Sequence, residues 1–190
     1  DDFAPVLYGA NQLLFTSNRN GGKSSIYRDS LTNFGEDVYT SDFLQGLFSV
    51  PELVLNPPLN TYDNDGTSSF YYDPKNNRVE MYFSSFDLAE NKADADIFMC
   101  TFANGQWSQK KAVTGGINSK GWDAQPAISP DGQKLVFASD RAGGYGGVDL
   151  YMSSRRADGS WSVPVNLGTT INSRFDDITP VLAADRKLYY

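Results

Sequence analysis

The stretch Ser129-Pro-Asp-Gly-Gln-Lys-Leu-Val-Phe-Ala-Ser-Asp-Arg141 joins a turn to a strand-forming run. Its Asp131-Gly132 pair supplies the positive φ that a tight hairpin needs. The apolar run from Leu135 to Ala138 is short and bounded by polar residues, which favours a buried strand. An earlier strand is expected around the Pro of Asp123-Ala-Gln-Pro126. The stretch therefore predicts two strands joined by a hairpin turn.

The same unit recurs along the chain, and internal repetition is the signature of a repeat architecture. Each copy starts at an Asp and leads into an apolar run. The further copies are Asp2-Phe-Ala-Pro5 with Leu13-Leu-Phe-Thr-Ser-Asn-Arg19, Asp65 with Val79-Glu-Met-Tyr-Phe-Ser-Ser85, and Asp177-Ile-Thr-Pro180 with Lys187-Leu-Tyr-Tyr190. Copies therefore start at residues 2, 65, 123 and 177.

The second half of each unit repeats as well. The matching segments are Asp96-Ile-Phe-Met99 and Asp149-Leu-Tyr-Met152 (with Ser25-Ile-Tyr-Arg28 as a weaker copy), Asn104-Gly-Gln-Trp-Ser108 and Asp158-Gly-Ser-Trp-Ser162, and Leu59-Asn-Thr61, Ile117-Asn-Ser119 and Ile171-Asn-Ser173. Each unit thus reads as four short strands separated by turns. No amphipathic helix pattern of useful length is present, and 31–52 is the only segment in which we allow a short helix.

Four strands in a unit of about 55 residues are typical of a β-propeller blade. We predict an all-β propeller of four-stranded antiparallel blades at 1–62, 63–121, 122–175 and 176–190, the last incomplete. Propellers close with 4–8 blades. The roughly three and a half blades here are therefore expected to be part of a larger ring. Either the chain is a segment of a longer polypeptide, which we favour, or another chain completes the ring.

Composition excludes several classes of function. The net charge is −7 without a basic run, which argues against nucleic-acid binding. The chain has no His, which removes the Ser-His-Asp triad and the commonest zinc ligand. The single Cys100 allows no disulfide within the chain and is expected to be a buried small apolar residue. No run of about 18 apolar residues exists, so no membrane span is predicted.

The segment 129–141 resembles the WD40-like (PD40) repeat of TolB-type propellers. Its continuation, Gly143-Gly-Tyr-Gly-Gly-Val-Asp-Leu-Tyr151, then Gly159-Ser-Trp-Ser-Val-Pro-Val-Asn-Leu-Gly168 and Ile171-Asn-Ser173, is similar to one branch of that group. The branch is the OmpA-family outer-membrane lipoproteins of Bacteroidota-type bacteria. Some of its members are similar to the component that links the type IX secretion system to peptidoglycan. The likeness extends over 122–190, is weaker over 1–19 and 59–121, and fails over 20–58.

This resemblance implies a periplasmic, outer-membrane-associated scaffold that binds other envelope or secretion-system proteins and has no enzyme activity. Peptidoglycan would be bound only through a domain absent from these 190 residues. Two alternatives stay open: docking of an envelope lipoprotein, as TolB-like proteins imply, and carbohydrate binding or hydrolysis in the central channel. No catalytic, metal-binding or cofactor-binding residue is predicted.

Four residues near the blade starts are candidate ligand or partner contacts: Asp65, Trp122, Asp123 and Asp177. The three carboxylates either accept backbone N–H groups and fix the turns between blades, or form a ring that holds a cation or polar ligand. Trp122 takes the place that Asp176 has in the next unit, so packing does not demand a Trp there. Carbohydrate binding would be favoured if Asp65, Asp123 and Trp122 lined one open pocket.

The irregular segment 20–58 is the other candidate contact region. Phe43, Leu47 and Phe48, with Phe34 and Leu44, are more apolar than a solvated loop requires. They either cover the blade or form a patch that binds a partner.

Overall fold

A computed structural model describes residues 2–8, 11–19, 36–54, 60, 65–86, 94–185 and 187–190. Throughout these residues the regular elements are strands, and none forms a helix that could cross a bilayer. The strands are β1 (Asp2–Tyr8), β2 (Gln12–Ser17), β3 (Asp37–Leu44), β4 (Leu47–Phe48), β5 (Glu52–Leu53), β6 (Asp65–Asp73), β7 (Arg78–Phe86), β8 (Ala95–Ala103), β9 (Gln106–Trp107), β10 (Lys111–Ala112), β11 (Asp123–Ile128), β12 (Lys134–Ser139), β13 (Asp149–Ser154), β14 (Val165–Asn166), β15 (Val181–Leu182) and β16 (Leu188–Tyr189).

The strands form four antiparallel sheets, which we call blades 1 to 4. Blade 1 has the order β1-β2-β3-β5, blade 2 has β6-β7-β8-β10 and blade 3 has β11-β12-β13-β14, while blade 4 is the pair β15-β16. The short strands β4 and β9 pair with the far ends of β3 and β8. The inner strands β1, β6, β11 and β15 contact one another in sequence. This confirms the predicted propeller fold.

The third strand of blade 1 differs from the predicted one. The strand is β3, where Asp37-Val-Tyr39 takes the place that Asp149-Leu-Tyr151 has in blade 3. The predicted copy at 25–28 lies outside the described residues. The helix allowed within 31–52 is wrong for the described part, 36–52, which is strand and turn. Val38 and Tyr39 pair with β2 and are buried, which favours the extended conformation.

The recurring Asn of the Ile-Asn-Ser segments closes the edge of each third strand. Asn118 accepts the N–H of Ile97 at 2.8 Å and donates to the Ile97 carbonyl at 3.0 Å. Asn172 makes the same pair with Leu150, and Asn60 makes it with Val38. An Asn side chain thereby imitates the backbone of one more strand residue, because it carries both a donor and an acceptor.

Adjacent blades bury apolar faces against each other. Blade 2 presents Tyr82 and Ile97 to Leu135 and Phe137 of blade 3, and Trp161 meets the Tyr82 ring edge-on at 6.0 Å. A second cluster joins Leu14 of blade 1 to blade 2. A blade has apolar side chains on both faces, so each one depends on its two neighbours for burial.

A buried ion pair also joins blades 2 and 3. Arg155 donates to both carboxylate oxygens of Glu80, at 2.6 and 3.2 Å, and to the hydroxyl of Tyr82 at 2.8 Å. Burial alone would raise the pKa of the Glu80 carboxyl, but the hydrogen bonds and charge of Arg155 hold this pKa below its ordinary value. Both partners are mostly buried, and Arg78 also contacts the Glu80 carboxylate at 2.7 Å. Removing the Glu80 charge would therefore leave the Arg155 guanidinium buried without its carboxylate partner.

Glu80→Gln is therefore expected to lower the free energy of unfolding by about 3 kcal/mol near pH 7, because Arg155 loses its counter-charge. The folded-state pKa of Glu80 lies below its ordinary value of 4.5, so its stabilising effect is present above that pH and is lost as pH falls through the folded pKa. Denaturant unfolding should show a steeper acid loss for the natural chain than for Glu80→Gln. Parallel curves would contradict this role of the ion pair.

Cys100 lies fully buried in β8, and burial raises the pKa of its thiol to about 12. Only the thiolate reacts with aromatic disulfide reagents, so we expect very slow labelling of the folded chain at pH 8. Labelling should become fast in denaturant. Fast labelling of the folded chain would show that blade 2 opens readily around β8.

Candidate functional site

The carboxylate at the start of the inner strands β1, β6 and β11 takes part in a cluster that we call the Asp–Ser–cation cluster. In blade 3 the cluster consists of Asp123, Ser139 and Arg141. Arg141 contacts the Asp123 carboxylate at 2.6 Å, and Ser139 donates to the same oxygen at 2.5 Å. The other carboxylate oxygen accepts the N–H of Ser119 at 2.5 Å. The cluster therefore joins β11, β12 and the segment that arrives from blade 2.

Arg141 also lies over an aromatic pair. Its guanidinium carbon is 5.1 Å from the Phe137 ring centre and 4.9 Å from that of Tyr151, and the two rings stack at 6.2 Å. The guanidinium donates further to the carbonyl of Gly116 at 3.0 Å and to that of Ile117. A planar guanidinium suits such a position because it combines several directed donors with a flat face.

The other blades build the same cluster with different parts. In blade 1, Arg19 contacts Asp2 at 2.8 Å and lies over Phe15 and Tyr39. Blade 2 has no Arg at this place. Instead Lys110, which lies between β9 and β10, donates to Ser85 at 2.9 Å and lies 4.7 Å from the Phe98 ring centre.

The predicted candidate carboxylates are engaged inside this architecture. Asp65 and Asp123 are fully buried, and Asp65 accepts a hydrogen bond from Ser85. Asp177, which is half-buried, accepts the N–H of Ser173 at 2.6 Å. In this arrangement the buried Asp65 and Asp123 are not open to a ligand. No group of three or more carboxylates and thiols among the described residues is placed to hold a metal ion.

Trp122 is half-buried rather than a free surface residue. Its ring packs on the apolar cluster of Val136, Ala138 and Leu150, and its backbone N–H donates to Asp140 at 2.8 Å. The arrangement that would have favoured carbohydrate binding, one open pocket lined by Asp65, Asp123 and Trp122, is not observed.

The structure describes some of the candidate apolar residues of segment 20–58. Phe34 lies outside the described residues. Phe43, Leu47 and Phe48 surround the hairpin between β3 and β4 and are exposed, with the Phe43 and Phe48 rings 4.9 Å apart. Phe48 takes the place that Trp161 has in blade 3, since Ser49 and Ser162 make the same bonds to the neighbouring strand.

A channel of about 350 Å³ lies where the four inner strands converge. Its walls are apolar or small, with charged side chains absent from the described lining. The lining residues are Pro5, Val6, Leu7, Ser68, Ser69, Phe70, Pro126, Ala127, Ile128, Pro130, Thr179, Pro180, Val181 and Leu182. Sequence reasoning placed a central channel here but missed these residues, because none of them is chemically distinctive alone. The repeated Asp-x-x-Pro motif is the signal that could have found them.

Three of the four inner strands, β1, β6 and β11, bulge where they face this channel. The pairing register shifts between Phe3 and Val6, between Gly66 and Ser68, and between Ala124 and Ala127. In blade 3 the bulge holds Gln125 at a φ of 55°, a conformation uncommon for residues other than Gly. A bulge bends its strand and re-aims the side chains around it, here towards the axis.

The bulges also join the blades around the channel. The Gln125 N–H donates to the Ser84 hydroxyl of blade 2 at 2.8 Å, and the Ile128 N–H donates to that of Ser69 at 3.0 Å. The Gln125 side chain accepts the N–H of Thr179 in blade 4 at 2.8 Å. The channel wall is therefore held by hydrogen bonds from one blade to the next.

No protein-family model matches the sequence, and no curated protein matches it. Solved structures do match the fold. An α-L-arabinofuranosidase from Lactobacillus brevis aligns with a TM-score of 0.63 at 15% identity, over 98% of this chain and 62% of its own. A Penicillium chrysogenum α-L-arabinanase complexed with arabinobiose gives 0.51 at 9% identity, over 95% and 47%.

A third similar structure is an N-acetylgalactosamine deacetylase from F. plautii, in complex with blood group B trisaccharide. It aligns with a TM-score of 0.52 at 15% identity, over 88% of this chain and 53% of its own. The chain thus spans less than two thirds of each of these three proteins. At such identities the likeness identifies the fold alone.

These comparisons correct one expectation. The resemblance to envelope scaffolds implied that the chain has no enzyme activity. That prediction is wrong, because enzymes also have this propeller fold. The similar structures named above are all enzymes. The reason is general: a propeller is a scaffold, and the chemistry depends on the residues placed at its channel and loops.

The clusters of Arg141 and Arg19 allow a matched test of how burial of the carboxylate affects the contribution of each ion pair to stability. Arg141→Met should lower the free energy of unfolding by about 3 kcal/mol, because it leaves the buried Asp123 without its cation. Arg19→Met should cost clearly less, because the Asp2 side chain is 60% exposed and solvent screens its charge. Denaturant titration measures both. Equal losses would show that burial of the carboxylate does not control the cost.

Proposed function

We propose that this propeller binds a carbohydrate in its axial channel, and that the ligand is an uncharged oligosaccharide. The observation that carries the proposal is the channel itself. Its volume, about 350 Å³, lies within the range of small-molecule sites, which are mostly apolar with a few placed polar groups. Sugars match such a wall, since a sugar ring has apolar C–H faces and a rim of hydroxyl groups.

The wall supplies both kinds of contact. Proline rings and the Phe70 ring offer flat apolar surface, while Ser68, Ser69 and Thr179 offer hydroxyl groups. The Ser69 hydroxyl is held in place by the N–H of Ile128, so part of the polar wall is pre-organised. An ionised sugar would have no opposite charge to meet among the described lining residues, and burying an unpaired charge is costly.

The similar structures support the same class of ligand. Two are arabinose-releasing or arabinan-degrading enzymes by name, and one deacetylates N-acetylgalactosamine. Hydrolysis needs two carboxylates on either side of the scissile bond. The described lining holds none, so what these residues support is recognition of the glycan, and turnover is a separate measurement on the same ligands.

The predicted periplasmic location and the predicted secretion-system or lipoprotein partners remain proposals based on the sequence resemblance. Carbohydrate binding is compatible with an envelope setting and does not depend on it.

The test is isothermal titration of the chain with neutral oligosaccharides, arabinobiose among them, and with a uronic-acid oligomer for comparison. Leu7→Asp places a charge at the channel wall, where Leu7 is 68% exposed. We expect it to weaken binding at least tenfold, about 1.4 kcal/mol. Val163→Asp is the matched control, because Val163 is 71% exposed and lies outside the channel lining.

Preferred binding of the neutral oligomers, lost in Leu7→Asp and kept in Val163→Asp, supports the proposal. Equal binding by both variants, or no heat with any neutral oligomer at millimolar concentration, would overturn it. Release of reducing ends in the same samples would add catalysis to binding.

A further inference from the structure

Blade 3 shows how one blade receives the segment that leaves the preceding one. Residues 115–117 of blade 2 cross the surface formed by Trp161 and Pro164. A Cβ on Gly115 would lie 2.7 Å from the Trp161 carbonyl oxygen, so only glycine permits this approach. Arg141 donates to the carbonyls of Gly116 and Ile117 from above.

Blade 1 carries the same receiving surface. Phe48 and Pro51 take the places of Trp161 and Pro164, and Arg19 takes that of Arg141. The hydrogen bonds beside this surface are also the same in the two blades. Ser41 donates to the Ser49 carbonyl at 2.7 Å, and Ser153 donates to the Ser162 carbonyl at 2.6 Å.

The surfaces of blades 1 and 3 differ in how far they are covered by other residues. Trp161 is 5% exposed, whereas Phe48 is 53% exposed at the equivalent position. A depression of about 450 Å³ lies there, which we call the blade 1 slot and which is lined by Asp2, Leu13, Phe15, Arg19, Phe48 and Pro51. Arg19 makes its Ser17 and Asp2 contacts through Nε and its second terminal nitrogen. Among the described residues, no carbonyl corresponds to those that Arg141 binds.

We propose that the blade 1 slot binds a polypeptide segment of the Gly-Gly-Ile-Asn-Ser type, belonging to a further blade of this repeat. Arg19 donates to two successive carbonyls of the segment, as Arg141 does. Phe48 packs on the glycine backbone, and the Ile side chain enters the apolar part of the slot beside Leu13 and Phe15.

The chemistry of the slot selects this occupant. A guanidinium fixed by Asp2 and Ser17 presents its remaining donors in one plane, which suits adjacent carbonyls. The close approach seen in blade 3 admits glycine and excludes side chains. A glycan offers hydroxyl groups in place of a carbonyl pair and an apolar branched side chain. The inference does not depend on glycan binding in the axial channel.

The test is a ¹H–¹⁵N NMR titration of the full chain with the peptide Thr-Gly-Gly-Ile-Asn-Ser-Lys, which copies residues 114–120. We expect shifts at the Arg19 side-chain N–H and at the amides of Phe48 and Ser49, saturating in the millimolar range. Arg19→Gln should weaken the peptide about tenfold, because charge-assisted bonds to the carbonyls are lost. Arg174→Gln is the control, since Arg174 is an exposed Arg beside an aromatic ring and outside the slot.

A second peptide carrying Ile117→Asp separates specific docking from weak general association, and it should not bind. A third measurement detects binding even if the free peptide binds weakly. The seven-residue segment is joined ahead of residue 1 by a short flexible linker, which raises its effective concentration to the millimolar range. This fusion should raise the thermal midpoint, and Arg19→Gln should abolish the gain. Shifts outside the slot, equal binding of the Ile117→Asp peptide, or a fusion without effect would each overturn the proposal.

Discussion

The buried carboxylate of Asp123 holds three separate pieces of chain at one point. It binds Ser139 and Arg141 of its own blade and the N–H of Ser119 from the segment that arrives from blade 2. Because the carboxylate is fully buried, each of these bonds is strong and each is needed to compensate the charge. The inner strand is thereby fixed in position and height, so the bulge at Gln125 is aimed at the axis.

The blade architecture could be predicted from the sequence because each repeat carries polar residues that make the same hydrogen bonds. The Asp that starts each blade and the Asn of Ile-Asn-Ser recur because they complete backbone hydrogen bonds, as Asn118 does for Ile97. The third strand of blade 1 was misplaced because Ser25-Ile-Tyr-Arg28 imitates the motif that Asp37-Val-Tyr39 carries. The packing of Trp122 on Val136, Ala138 and Leu150 could not be read from the sequence, because a half-buried packing role leaves no trace in one sequence. The channel lining was missed because it combines ordinary residues from four strands distant in the chain.

The relation between fold and function is set by what the axis exposes. The Asp–Ser–cation clusters bind the carboxylates of Asp2, Asp65 and Asp123, and the Ser173 N–H binds that of Asp177. The repeated acidic residues therefore do not make the described lining of the channel acidic. What remains towards the axis is an apolar surface with hydroxyl groups, held by bonds between blades such as that from Gln125 to Ser84. A propeller of this kind supplies shape and rigidity, and its chemistry depends on the side chains placed on it.

The lysine of blade 2 has a consequence for how such repeats diversify. In blades 1 and 3 the cation stands two residues after the second strand, so the connection to the third strand must begin with Arg. Lys110 supplies the same charge from the segment between β9 and β10, and the sequence has Asp87 where the other two blades have Arg. The cluster of blade 2 therefore does not need an Arg at this sequence position. A repeat protein can free one sequence position for other chemistry in this way, by supplying the required charge from a different segment of the same blade.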